Sequence, residues 1–163
     1  MDTSKETARR TQGEQDRLES MLKDILEHRL RFNELIGLRV ESFNSESPRL
    51  TFEMRPDLVG SFIHNRLHGG VIATALDTVG GFALTLVIAE KHADETLEQI
   101  AVRFGRIGTI DLSVDYLNQG VGRSFHASAK VVRLGGRIAS VRMELKNDAD
   151  MLIATGRAAY IVS

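Results

Sequence analysis

Between Gly69 and Ala89 the chain carries a single charged side chain, Asp77. Around it, Val71, Ile72, Leu76, Val79, Phe82, Leu84, Leu86, Val87 and Ile88 fall on every side of a 3.6-residue wheel. The spacing predicts a long helix that is apolar all round, and such a helix must be buried on all sides. A carboxylate in its middle is costly to bury unless it is hydrogen-bonded or chemically employed. Whatever fold the chain adopts must wrap this segment and account for Asp77.

A chain of 163 residues suggests one domain with a core of its own. The absence of cysteine removes disulfides, thiolate metal sites and a cysteine nucleophile, and suits a cytoplasmic protein. A net charge of −1 gives no electrostatic case for nucleic acid. Residues 1–17 alternate charges and lack the apolar core of a signal peptide. The apolar run is nearly long enough to span a bilayer, but Asp77 at its middle would cost roughly 3 kcal/mol there. The remaining chain reads as amphipathic strands that need something to pack on, so no membrane partner is expected.

Leu18, Met21, Leu22, Ile25, Leu26, Arg29 and Leu30 have the spacing of an amphipathic helix that ends before Gly37. Two strands follow, Leu38 to Ser45 and Arg49 to Met54, joined by Asn44-Ser45-Glu46-Ser47-Pro48. Residues 55–66 read as an irregular loop. After the apolar helix, Leu97, Ile100, Ala101 and Phe104 predict a short helix. Four runs with period-2 alternation then start near Ile110, Phe125, Ala139 and Leu152. Their links, Gly120-Val121-Gly122, Gly135-Gly136 and Asn147-Asp148, are short and imply antiparallel neighbours. The expectation is an α+β fold in which an antiparallel sheet of about six strands wraps the central helix. Residues 1–34 would be a polar tail with an extra N-terminal helix, and residues 35–163 the domain proper.

Glycines at the head of the long helix bear on chemistry. The first N–H groups of a helix have no internal partner and carry the positive end of its dipole. Gly69 and Gly70 would let a carbonyl approach those donors closely. The string His68-Gly69-Gly70, then Asp77, then Gly108-Thr109-Ile110-Asp111-Leu112-Ser113-Val114-Asp115-Tyr116-Leu117 resembles the hotdog-fold thioesterases of the PaaI type. Within them it is most similar to a bacterial branch acting on medium- and long-chain acyl-CoA. The resemblance covers residues 35–163. It implies hydrolysis of acyl-CoA thioesters in fatty acid metabolism, in a homodimer or homotetramer, without cofactor or metal.

The resemblance assigns the Gly69 amide to the thioester oxyanion and makes Asp77 a general base for water, or a nucleophile forming a transient anhydride. Thr109 stands where relatives carry a Ser or Thr that orients the water or the carboxylate. His68 would brace the loop by hydrogen bonds. Relatives often place an Asn six or seven residues before that histidine; Phe62 and Ser61 stand there, with Asn65 and His64 as nearby polar substitutes. The basic turn of Arg133, Gly135, Gly136 and Arg137 would lie near the CoA phosphates or pantetheine. Asp77 is eight residues past Gly69, about 12 Å along one helix. If both act on one thioester they belong to different chains, and Ala73, Thr74, Gly80 and Gly81 leave a recessed face for that approach. Two rival readings are a non-catalytic acyl-CoA-binding module, which has no need of Asp77, and a hotdog dehydratase. The second is disfavoured because both prolines, Pro48 and Pro56, lie upstream of His68.

Overall fold

The computed structural model describes residues 10–163. Its centre is α3 (Gly69–Lys91), a helix long and apolar enough to cross a membrane that is instead wrapped by sheet. Ile72, Ala75, Leu76, Val79, Phe82, Ala83, Leu84, Leu86 and Ile88 are buried. The wrapping sheet contains β1 (Arg39–Ser42), β2 (Arg49–Glu53), β5 (Gly108–Tyr116), β6 (Ser124–Leu134), β7 (Ile138–Asn147) and β8 (Leu152–Ile161). Its order is β1-β2-β6-β7-β8-β5, antiparallel throughout. Alternate residues face α3: Phe125 and Ala127 from β6, Val141, Met143 and Leu145 from β7, Ala158 and Tyr160 from β8. Phe82 lies against Phe43 edge to face, with ring centroids 5.6 Å apart. The α+β architecture is the expected one, with six strands around one helix.

One neighbour relation differs from expectation. β5 pairs with β8, at the opposite side of the sheet from β2, and not with β6. The Gly120-Val121-Gly122 link is therefore a crossover. It is tied down where the Leu67 N–H donates to the Gly120 carbonyl at 2.9 Å. Turn residues mark where a strand stops; they do not say which strand comes to lie beside it.

The N-terminal helix is also not one piece. Thr11 and Glu14 form a capping box for α1 (Gln12–Asp24). A π-helical turn, Ile25–Arg29, follows, and Leu30 is extended before α2 (Arg31–Ile36). The wider turn brings Leu26 and Glu27 inward together, and both are buried. The Leu26 carbonyl accepts from Asn33 Nδ2 at 3.1 Å, and Glu27 Oε1 accepts from the Val40 N–H of β1 at 2.8 Å. Gly37 ends α2 at φ +75°, a conformation that favours glycine. Leu18, Leu22, Leu26 and Ile36 join the core that surrounds α3.

Residues 55–66 are more ordered than an irregular loop. A 3₁₀ turn, Pro56–Leu58, leads into a small hairpin of β3 (Val59–Ser61) and β4 (Arg66–Leu67). The hairpin delivers the chain to the head of α3, where the His68 N–H donates to the Leu58 carbonyl at 2.8 Å. The expected short helix is α4 (Leu97–Phe104), capped by Thr96 and Gln99.

Candidate functional site

α3 is not buried on every side. Ala73, Thr74, Asp77, Thr78 and Gly81 form a partly exposed stripe. A side chain at Gly81 would meet nothing within 4 Å, so the helix surface is open on that side. Gly80 does not belong to that stripe. Gly80 is buried, and a Cβ on it would lie 2.3 Å from the Tyr160 hydroxyl. A turn of 100° per residue sets neighbours 80 and 81 on different faces, and β8 covers only the first.

Two hydroxyls hold the Asp77 carboxylate. Thr109, at the start of β5, donates to Oδ1 at 2.8 Å. Tyr160, on β8, lies 3.0 Å from Oδ1 and 3.0 Å from the Asp77 carbonyl oxygen, so its one proton is shared between them. Thr109 and Tyr160 are cross-strand partners, which is why they converge. Among the described residues Oδ2 accepts no hydrogen bond and Asp77 forms no ion pair. The carboxylate thus has one oxygen anchored by two hydroxyls and one that accepts from none of the described residues. Burial first, and then the charge of Asp77 and the hydrogen bond to it, push the Tyr160 pKa far above the usual phenol value, so the hydroxyl stays a donor.

At the head of α3, His68 is the N-cap. Its Nδ1 accepts from the Gly70 N–H at 2.9 Å, and its carbonyl accepts from Val71 and Ile72. An accepting Nδ1 places the ring proton on Nε2. The Gly70 N–H, read from the sequence as a substrate contact, is therefore already engaged. The Gly69 N–H donates to none of the described residues and is the free donor at the positive end of the helix. Tyr116 donates to the Gly69 carbonyl at 3.0 Å, and its ring closes one side of an open groove that includes Leu67, Gly69, Ile72 and Gln119.

The other expected residues fall into two groups. Asn65 is exposed in the β3–β4 turn at φ 45°, three residues before the His68 corner. At the opposite end, Leu134, Ala139, Tyr160 and Thr109 form one row across β6, β7, β8 and β5. The Gly135-Gly136-Arg137 turn lies just past that row, with the Gly135 N–H donating to the Ile138 carbonyl and the Arg137 carbonyl accepting from Val162. With strands about 4.8 Å apart, Ala139 is roughly 10 Å across the sheet from Thr109. Within one chain, then, Asp77, Thr109 and the Arg137 turn share an end, while Gly69, His68 and Asn65 lie at the other. Sequence reasoning missed Tyr160 and Tyr116 as site residues, and it also missed exposed Arg106 in the turn before β5.

Comparison with known proteins points the same way. Residues 64–154 match the family model described as Thioesterase superfamily. The chain is 34% identical over 142 residues to the medium/long-chain acyl-CoA thioesterase YigI of Escherichia coli, covering 87% of this chain and 92% of that protein. A crystal structure of a thioesterase-superfamily-related protein from Shewanella oneidensis superposes with a TM-score of 0.85 at 34% identity, over 91% of this chain and 97% of that one. A candidate thioesterase from Syntrophus aciditrophicus does so with a TM-score of 0.82 at 39% identity, over 91% and 98%. In sequence and in shape, the chain belongs to the thioesterase superfamily and is a thioester hydrolase.

Proposed function

We propose that this chain hydrolyses acyl-CoA thioesters to a free carboxylic acid and CoA, at sites formed between two copies. The observation that carries this reading is the Asp77 carboxylate, held through one oxygen by two hydroxyls on a partly exposed stripe of an otherwise apolar helix. The name of the Escherichia coli relative supports acyl-CoA of medium to long chain as the substrate. The Gly69 N–H of one protomer polarises the thioester carbonyl. Asp77 of the other protomer takes a proton from water as the hydroxide adds to the carbonyl carbon. The oxyanion then collapses, the C–S bond breaks, and CoA leaves as the thiolate, which is protonated on departure. In the covalent version Asp77 itself attacks the carbonyl carbon, the C–S bond breaks and CoA leaves as the thiolate, and water then hydrolyses the mixed anhydride, releasing the acid and restoring the Asp77 carboxylate. One hydrogen-bond donor on such an oxyanion contributes about 3 kcal/mol to lowering the barrier.

Pairing of two copies is supported by β5. It is an edge strand of the six-stranded sheet, Ile110 on it is exposed, and it carries Thr109 beside the open stripe of α3. A second copy adding along β5 would continue the sheet and set the two stripes face to face. Exposed Arg106, Arg133 and Arg137 at the Thr109 end are suited to the phosphates of CoA. The reading is tested by Asp77→Asn, assayed by thiol release from acyl-CoA of graded chain length. The expected result is an intact fold and assembly, with kcat lower by orders of magnitude. Unchanged turnover would overturn it.

A further inference from the structure

We propose that Tyr160 is a positioning residue for Asp77: its hydroxyl, admitted by the missing side chain at residue 80, fixes Oδ1 so that Oδ2 is the atom that does the chemistry. The inference rests on Asp77 being the base or nucleophile.

A buried tyrosine hydroxyl needs a partner, and a backbone carbonyl would suffice to satisfy it. Tyr160, 2% exposed, already has one in the Asp77 carbonyl at 3.0 Å. Its second contact, to Oδ1, is what a core residue does not require. Because the same hydroxyl grips both the backbone and the side chain of residue 77, it ties the rotation of that side chain to the helix. Thr109 reaches the same oxygen from β5, so the two donors pin one oxygen from neighbouring strands and leave the other without a donor among the described residues. These two hydroxyls are the groups that face the carboxylate at bonding distance; no cation among the described residues does.

The fit depends on Gly80. A Cβ there would stand 2.3 Å from the Tyr160 oxygen and 3.0 Å from Cζ, so any larger residue displaces the hydroxyl. Gly80 sits on the buried face of α3, where a glycine weakens the helix by about the amount expected for any interior position. An alanine would serve packing as well, were the hydroxyl not there. The sequence Asp77-Thr78-Val79-Gly80 therefore encodes the carboxylate and the slot for its anchor one helical turn apart.

The test is Tyr160→Phe, with kcat, KM and the pH profile of kcat/KM measured on acyl-CoA. The expected result is a folded protein of unchanged assembly, kcat reduced roughly 10- to 100-fold, as a small misplacement of the reacting group gives, and KM little changed. The acid limb of the profile moves to higher pH, because a donor to the ionised carboxylate has been removed. Gly80→Ala should reproduce the loss, and it should cost less in the Y160F background, where the hydroxyl is gone and only the ring edge, 3.0 Å from the added Cβ, has to shift. Wild-type kcat with an unmoved acid limb in Y160F would overturn the proposal. If Y160F does not fold, 3-fluorotyrosine at position 160 keeps the ring and makes the hydroxyl a stronger donor. The limb should then move to lower pH, and an unmoved limb overturns the proposal. Asp77→Asn separates the two readings: an active D77N removes the role of Asp77 itself, whereas an inactive D77N beside an unaffected Y160F removes only the role of Tyr160.

Discussion

The Thr109 hydroxyl and the Asp77 carboxylate, from different elements, meet at 2.8 Å. Thr109 is the first residue after the glycine that opens β5, so its side chain is set by the strand and not by a loop. Thr109→Val keeps the branched shape and removes the donor. Its kcat/KM on acyl-CoA should fall about 10-fold, with a melting temperature close to that of the parent, and Thr109→Ser should recover most of the loss. A Thr109→Val enzyme with full activity would show that the hydroxyl contributes only packing.

His68 is expected to act through the helix it caps. Removing an N-cap acceptor costs about 1 kcal/mol, and His68→Ala should lower stability by that amount in chemical denaturation at fixed protein concentration. His68→Asn should restore it, because a side-chain oxygen can take the Gly70 N–H. Under the proposed mechanism His68→Ala also lowers kcat, through a loosened Gly69 N–H. Equal stability of the Ala and Asn variants would contradict the capping role.

Arg137 should affect binding and not chemistry. It is exposed at the sheet end that holds Thr109 and Tyr160. Arg137→Ala is expected to raise KM for an acyl-CoA roughly 10-fold, the worth of one hydrogen bond to a charged group. The matching N-acetylcysteamine thioester, which lacks the nucleotide, should be hydrolysed equally by both enzymes. A KM increase of the same size on both substrates would place Arg137 elsewhere in the mechanism.

Acid stability has a local source in the segment that precedes α4. The Arg103 guanidinium is hydrogen-bonded to Glu95 at 2.6 Å and holds its carboxyl below the usual carboxylate range. A carboxylate with a depressed folded-state pKa stabilises the fold above its unfolded pKa, and that contribution disappears as pH falls through the folded value. Arg103→Gln should therefore be less stable than the parent near neutral pH. The gap should close progressively as denaturation is repeated at pH below the ordinary glutamate range. A gap independent of pH would assign the effect of Arg103 to packing.

Most of the architecture could be read from pattern. Alternation placed β6, β7 and β8, and the all-round apolar run placed α3, because both signals come from burial on a regular period. The relation of β5 to β8 could not be read, since turn residues carry no information on lateral order. Nor could the π-helical turn, whose Leu26 carbonyl accepts from the side chain of Asn33 seven residues on. At the site, Asp77 stood out as the lone charge, and Thr109 and Gly69 were named through resemblance. Tyr160 lay within the alternating run that starts near Leu152, and the pattern alone did not single it out. Its partner is on α3, and a contact between 77 and 160 is a property of the assembled fold. The tyrosine hydroxyl at a core-facing position was the available signal, since such a group must find an acceptor.

The two margins of the sheet are not equivalent. On the β1 side the Glu27 carboxylate occupies the outward Val40 N–H, and the helical N-terminal segment lies over it. No such guard covers β5 among the described residues. Strand addition is thus open from one direction only. A copy that joined there would use up that margin of the six-stranded sheet in both molecules, so lengthening of the sheet would halt at a pair rather than run on into a fibre.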